Sequence, residues 1–467
     1  MNGIVGALVV LTVMTVHLLS SAVSAQPPTT PSQTQQSGTP TQQQQTTPIT
    51  QTERPAGSLI APVFPTAQGP ILLTPFTHVG PYLLNPPPPQ GPLTVTPSLT
   101  ISEEFNDNVF SDNTIKEWDF VTGFTPGIAI TLRQPTYSLS AAYNFTAEIY
   151  ARHSDLNNAA NRQNLALNAT YQVSPRLGLT LVEYFTYDRN TNASSVNQVS
   201  TGRRASWSNT ISPGLNYQIT PLTTGRLYGA YTLQRFDKTT DERDALDVGG
   251  AHDSNTYSVG VAVDRTFTPR LTGTVSYDFV YFDIEAEPNS MTHTPRLGAT
   301  YQITSTLTAS LSAGPSILVQ EGDTSVTPAV TATISQRFKY GSVSASYDRS
   351  ITTGGGFGGP TDTQTIYALF ELTSLMKGFV VSLSPRYAEI RTEGDRTHSR
   401  NDLNTFTLSL NAAYQIARAV SLVGSYTFFR QRSERSSTSA TDVDQNRVFL
   451  GVQVAYPFGF DLPGARP

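Results

Sequence analysis

Eight ionisable residues stand where chemistry with a passing solute could take place: Glu104, Arg133, Glu148, Asp278, Arg337, Asp348, Glu371 and Arg386. Each sits on the polar side of a run in which apolar and polar residues alternate, so all eight are expected to share one face of a sheet. Carboxylates and guanidiniums on the wall of a water-filled conduit would tune which solutes pass, and their mixed signs predict no strong ion preference. Solvated wall positions without a further role are the plainer reading of the same pattern.

Enzyme chemistry finds little support. The run Gly354-Gly355-Gly356-Phe357-Gly358-Gly359-Pro360 has no Lys-Ser/Thr after it and no helix pattern to present N–H groups, so it reads as a flexible outer loop, not a phosphate cradle. His153, His252, His293 and His398 fall in or beside four separate long loops without the fixed spacing of a metal site. No Gly-x-Ser-x-Gly elbow is present. The 467-residue chain has no cysteine, which removes disulfides, thiolate metal sites and a lipoprotein anchor. Its net charge of -5 offers no basic stripe for nucleic acid. No catalytic residue, cofactor or metal is expected, and the chain does not read as an enzyme.

The elements that position the ionisable residues announce themselves by repetition. Tyr171-Gln172-Val173-Ser174-Pro175-Arg176-Leu177 returns as Tyr217 to Pro221, Thr266 to Leu271, Tyr301 to Thr304 and, decayed, Tyr414 to Arg418. Each copy ends one alternating run and begins another, the mark of a repeated hairpin. The runs continue for nine or more residues, whereas soluble strands average about five or six and a tilted bilayer-spanning strand needs about nine to eleven. Leu, Val, Ala and Phe fill one face and Thr, Ser, Asn and Gln the other, as in an outer-membrane barrel. Short Ser/Thr-Pro turns alternate with long polar loops, which predicts a transmembrane antiparallel β-barrel over 93–458 with about eighteen strands, sixteen being the alternative. Tyr171, Tyr217, Tyr301 and Tyr414 would then form the periplasmic aromatic girdle. Six prolines, Pro97, Pro126, Pro213, Pro295, Pro328 and Pro385, fall in the outward register and are expected at rims or bulges.

Residues 1–25 carry an apolar stretch from Ile4 to Leu19 and end in Val23-Ser24-Ala25, which reads as a secretion signal cleaved near Ala25, an uncleaved anchor being the alternative. Residues 26–92 are rich in Pro, Gln and Thr and read as a mostly disordered periplasmic linker that could also dock on a periplasmic partner or inside the barrel. Residues 459–467 form a short tail.

The opening strand, Leu99-Thr100-Ile101-Ser102-Glu103-Glu104-Phe105-Asn106-Asp107-Asn108-Val109-Phe110, resembles that of the β-barrel porin type 2 family, in which a strand runs into an aromatic-Asn/Asp-Asp-Asn-hydrophobic turn. The resemblance spans about 93–458 and implies a barrel in the outer membrane of a Gram-negative bacterium, associated with exopolysaccharide export, with no catalytic residues to carry over. The alternating Val448, Leu450, Val452, Val454, Tyr456 and Phe458 look like the terminal strand that the barrel assembly machinery recognises, although Gly459 to Pro467 extend past it. Expected partners are outer-membrane lipid, lipopolysaccharide, that machinery, and a polysaccharide or small hydrophilic solute. Two readings stay open: a channel, and a non-conducting structural or adhesive barrel that presents its long loops outside.

Overall fold

The computed structural model describes residues 91–461 apart from 115, 192–197, 238–250, 357, 374, 393–401 and 434–441. The signal and nearly all of the linker read from the sequence, together with His398 and residues 462–467, lie outside the described residues.

The strands follow one another as β1 Leu93–Asn106, β2 Asp119–Arg133, β3 Tyr137–Tyr150, β4 Asn158–Ser174, β5 Leu177–Asn190 and β6 Arg203–Thr220. Next come β7 Thr223–Phe236, β8 Ser254–Thr268, β9 Leu271–Ile284, β10 Ser290–Gln302, β11 Leu307–Gln320 and β12 Asp323–Phe338. The wall continues through β13 Gly341–Thr353, β14 Pro360–Leu372, β15 Phe379–Thr392, β16 Leu403–Ala417, β17 Val420–Ser433, β18 Val443–Ala455 and β19 Phe458–Phe460. From β1 to β18 each strand pairs with its sequence neighbours, and β1 pairs antiparallel with β2 on one side and with β18 and β19 on the other. Since β18 and β19 meet the same edge of β1, they fill one place in the wall, and the barrel has eighteen such places. Closure leaves no sheet edge along the membrane-spanning wall, the condition a sheet must meet in lipid.

The alternation in the sequence decides which side meets lipid. Ile101, Ile128, Val261, Leu297, Leu311, Ile334 and Leu450 are exposed on the outer surface, between 42% and 69%, while the inward neighbours of Ile101, Leu311 and Ile334 are serines and threonines. Tyr171, Tyr217, Tyr301 and Tyr414 stand outward beside the short turns, 40% to 50% exposed. At the other end Phe105, Trp118 and Phe120 form one aromatic group and Tyr231, Tyr257 and Tyr281 another.

The six prolines do not sit at bulges. Pairing of β2 with β3 skips from Phe124 to Gly127 around Pro126, β6 with β7 from Ile211 to Gly214 around Pro213, and β10 with β11 from His293 to Leu297 around Pro295. The β14–β15 ladder skips from Arg386 to Leu383 around Pro385, and Pro97 lies between the stretches of β1 that pair with β18 and β19. Each missing N–H falls where the ladder is interrupted on one side only, so the wall continues through the other partner.

Pro328 marks the largest interruption. The ladder between β12 and β13 runs from Phe338↔Gly341 up to Val330↔Arg349 and stops there, although β12 goes on to Asp323 and β13 to Thr353. The end of the β13–β14 hairpin, still zipped by pairs from Arg349↔Gln364 to Thr353↔Pro360, has parted from β12, while β14 stays paired with β15 up to Thr361↔Thr392. Ile351 belongs by register to the outer face, yet it is 5% exposed and packs with the inward-facing Val280, Phe282, Ile284 and Leu318 of β9 and β11. The hairpin end therefore turns into the barrel.

Candidate functional site

The lumen has two different halves, visible along single strands. On β9 the inward residues Thr272 and Thr274 are half-buried, and from Ser276 through Asp278, Val280 and Phe282 to Ile284 every inward side chain is buried. On β10, Gln302, Thr300 and Gly298 are half-buried, whereas Arg296, Thr294, Thr292 and Ser290 are buried. The half beside the short turns is thus open to water, and the half beside the long loops is filled.

Three segments fill it. The first is the infolded hairpin end, whose Gly356 accepts a hydrogen bond from the His252 N–H at 2.9 Å. Gly356 has φ +102°, and a Cβ there would come within 2.9 Å of the Phe236 ring and 3.1 Å of Thr201, so only glycine fits this contact. The second is the loop after β1: Val109 and Phe110 pack on Val121, Tyr150 and Leu156, and the Asn108 carbonyl accepts from Gln445 Nε2 at 2.7 Å. The third is the stretch before β6, which reaches the far wall: Val199 packs with Ile390 and Leu403, the Ser200 N–H donates to Gln431 Oε1 at 2.9 Å, and Gln431 Nε2 donates back to the Ser200 carbonyl at 2.9 Å. Arg203 ties the second and third together by donating to the Val109 carbonyl at 3.4 Å and to the Tyr150 hydroxyl at 2.9 Å.

Two networks of charge line the wall below these segments. Glu104 accepts from Arg162 at 3.0 and 3.1 Å and from Arg447 at 2.9 Å twice, and Arg162 Nε also lies 2.7 Å from Glu148. Asp278 accepts from the Tyr228 hydroxyl and lies 4.0 Å from Arg296 Nε; Arg296 donates to Thr331 at 3.3 Å, and Thr331 donates to Asp348 at 2.7 Å. Arg226 Nε stands 2.6 Å from Asp264 on the same side. Removing one partner of such a low-exposure pair costs about 3–5 kcal/mol, because the other charge is left uncompensated.

All eight ionisable residues singled out from the sequence lie in the inward register, and the structure brings only some of them together. Glu104 and Glu148 share Arg162, and Asp278 and Asp348 share the Arg296–Thr331 link. Glu371 accepts from Ser342 at 3.1 Å near the short-turn end, where Arg133 and Arg337 are exposed at the mouth. Arg386 feels the charge of Asp348, and its Nε and one terminal nitrogen are shielded from solvent without a hydrogen-bond partner. Sequence reasoning missed Arg162, Arg447, Arg296, Arg226, Tyr228 and Gln431. Arg162 and Arg447 fell just beyond the alternating cores at Leu165 and Val448, although a strand that rises above the bilayer keeps its register.

Among the described residues the histidines His153, His252 and His293 do not converge. His153 is held between Glu117 at 2.6 Å and Asp119 at 2.8 Å, His252 Nδ1 meets the Glu285 carbonyl, and His293 meets the Tyr277 hydroxyl. Among the described residues no group of three or more His, Asp or Glu side chains could hold a metal ion.

A model of the family described as "Putative MetA-pathway of phenol degradation" matches residues 119–233, about a quarter of the chain. No curated protein matches in sequence. OccAB4 of Acinetobacter baumannii is similar in structure, with a TM-score of 0.41 and 12% identity, over 80% of this chain and 100% of that one. OpdQ of Pseudomonas aeruginosa gives 0.40 and 10% over 78% and 99%, and the siderophore receptor PirA of the same species 0.37 and 9% over 79% and 81%. Likenesses this distant say nothing about what the lumen holds.

Proposed function

We propose that the protein is an outer-membrane channel for small hydrophilic solutes, entered through the wet half of its lumen and restricted by the three segments that fill the other half. The observation that carries this reading is the change of burial along β9 and β10, from water-accessible Thr and Gln to fully covered side chains. A barrel that served only as an anchor would have no need of Ser-, Thr- and Gln-lined space reaching the ion-paired belt. Charge sharing around Glu104, Arg162 and Arg447 supports weak ion preference, since each sign is compensated by the other.

Several parts of this proposal come from the sequence. The apolar stretch before Gln26 supports export and removal of a signal near Ala25, the Pro/Gln-rich segment supports a spacer able to meet a periplasmic partner, and the outward row from Val448 to Phe458 supports recognition by the barrel assembly machinery. Outer-membrane lipid and lipopolysaccharide would surround the exposed apolar belt. Passage of an exopolysaccharide rests on the opening-strand motif around Phe105 to Val109 and requires the hairpin end to leave the lumen.

Reconstitution in a planar bilayer tests the channel. Stepwise conductance smaller than that of an unobstructed eighteen-stranded pore is the expected result. Silence after verified folding favours the structural or adhesive barrel.

A further inference from the structure

Beneath the infolded hairpin lies a recess of about 30 Å³, lined among others by Asp278, Arg296, Tyr228, Thr292, Thr294 and Ser316, with Ile351 of the hairpin over it. By the same measure a single water needs about 10–15 Å³, so there is room for two water-sized groups. Two of the charged side chains here are almost completely buried, with 8% exposure for Asp278 and 6% for Arg296, and each keeps one unused hydrogen-bonding atom. Asp278 Oδ1 is taken by the Tyr228 hydroxyl, but Oδ2 has no hydrogen bond. Arg296 donates from a terminal nitrogen to Thr331, but Nε has none. The two unused atoms are 4.0 Å apart, too far to satisfy each other.

Burying an acceptor and a donor without partners is costly, more so when they are charged. A group that relieves both must accept from Arg296 and donate to Asp278 at once. A hydroxyl does this; an ammonium can only donate and a carboxylate can only accept. The rest of the lining is hydroxyl-rich and equally ambivalent, as in the Thr294 to Ser316 contact of 3.1 Å, and the acid and base cancel in net charge. Val280 and Ile351 supply an apolar side for a carbon backbone.

We propose that the recess is a binding site for the terminal vicinal diol of a small neutral polyol, one hydroxyl bridging Asp278 Oδ2 and Arg296 Nε and the other meeting the threonine hydroxyls. The proposal deepens the channel reading by naming a solute class, and it rests on that reading only in that the solute reaches the recess through the lumen. Glycerol has the required end, whereas 1-propanol has the same carbon skeleton with a single hydroxyl.

Saturation-transfer NMR on the full chain folded in detergent tests the site with these two probes. Transfer to glycerol is expected in the parent protein, with at least a fivefold smaller signal for 1-propanol, for Asp278→Asn and for Arg296→Gln. Thr292→Val, which keeps the charged pair and guards against misfolding of the other variants, should reduce the glycerol signal two- to threefold. Equal transfer to both alcohols, no transfer to glycerol, or transfer to glycerol unchanged in folded Asp278→Asn would each overturn the site and leave waters as the occupants. Bilayer conductance is measured separately, so silence there removes the channel while the NMR signal still decides the recess.

Discussion

The two halves of the lumen are built from the same strands and differ in what covers them. Near the short turns the inward face of β10 carries Gln302, Thr300 and Gly298, all reached by water; eight residues further along the strand Thr292, a residue of the same kind, is 2% exposed. Strand chemistry alone would leave both wet. The difference arises because β13 and β14 part from β12 at Val330 and carry Ile351 onto Val280, Phe282, Ile284 and Leu318. A barrel wall thus yields its own plug by opening one ladder and bending the freed edge of β13 inward, beside a strand whose Pro328 has no N–H to offer beyond the parting point.

Removing residues 352–361 and closing the hairpin with a short turn should have the largest effect on this contrast. Single-channel conductance is expected to rise several-fold, and an unchanged value would mean that the hairpin end does not restrict the path. Phe282→Ala comes next. Phe282 is 2% exposed, and truncating such a side chain costs about 3–5 kcal/mol, read as a lowered urea midpoint. Thr272→Ala, on the same face of β9 in the wet half, should stay within about 0.5 kcal/mol, and equal losses at the two positions would erase the distinction. Gln431→Ala breaks both hydrogen bonds to Ser200; at about 1 kcal/mol for each bond, the strap should loosen by roughly 2 kcal/mol, visible as faster amide exchange around residues 198–202.

Much of the barrel was legible because a two-sided wall writes its register into every second residue. The Tyr-Gln-Ile/Val-Ser/Thr repeat marked several of the short turns, and pairing each long loop with two strands gave about eighteen strands, with sixteen left open; the wall has eighteen places. The plug was far less legible. Long loops read as outward because they are polar, and Gly354 to Pro360 read as flexible because its contacts are with Phe236, Thr201 and His252, remote in sequence. One local signal was present. From Phe279 to Phe282 both faces of β9 are apolar, a lapse in alternation that a water-filled lumen does not need and a covered one does. Ile351 gave no warning at all, since a residue on a strand end that bends inward keeps the outward parity of the rest of its strand. Of the charged lining, Arg162 and Arg447, which hold Glu104, were missed near strand ends, and Arg226 and Arg296 were missed within β7 and β10.

Because the chain has no cysteine, single-cysteine variants report accessibility without background, and a comparison of Thr300→Cys with Thr292→Cys in the folded barrel tests the division of the lumen most directly. A membrane-impermeant thiol reagent should modify position 300 readily and position 292 at least tenfold more slowly, with the second rate rising to the first once 352–361 are removed. Equal rates at both positions in the intact barrel would contradict a lumen closed by its own hairpin.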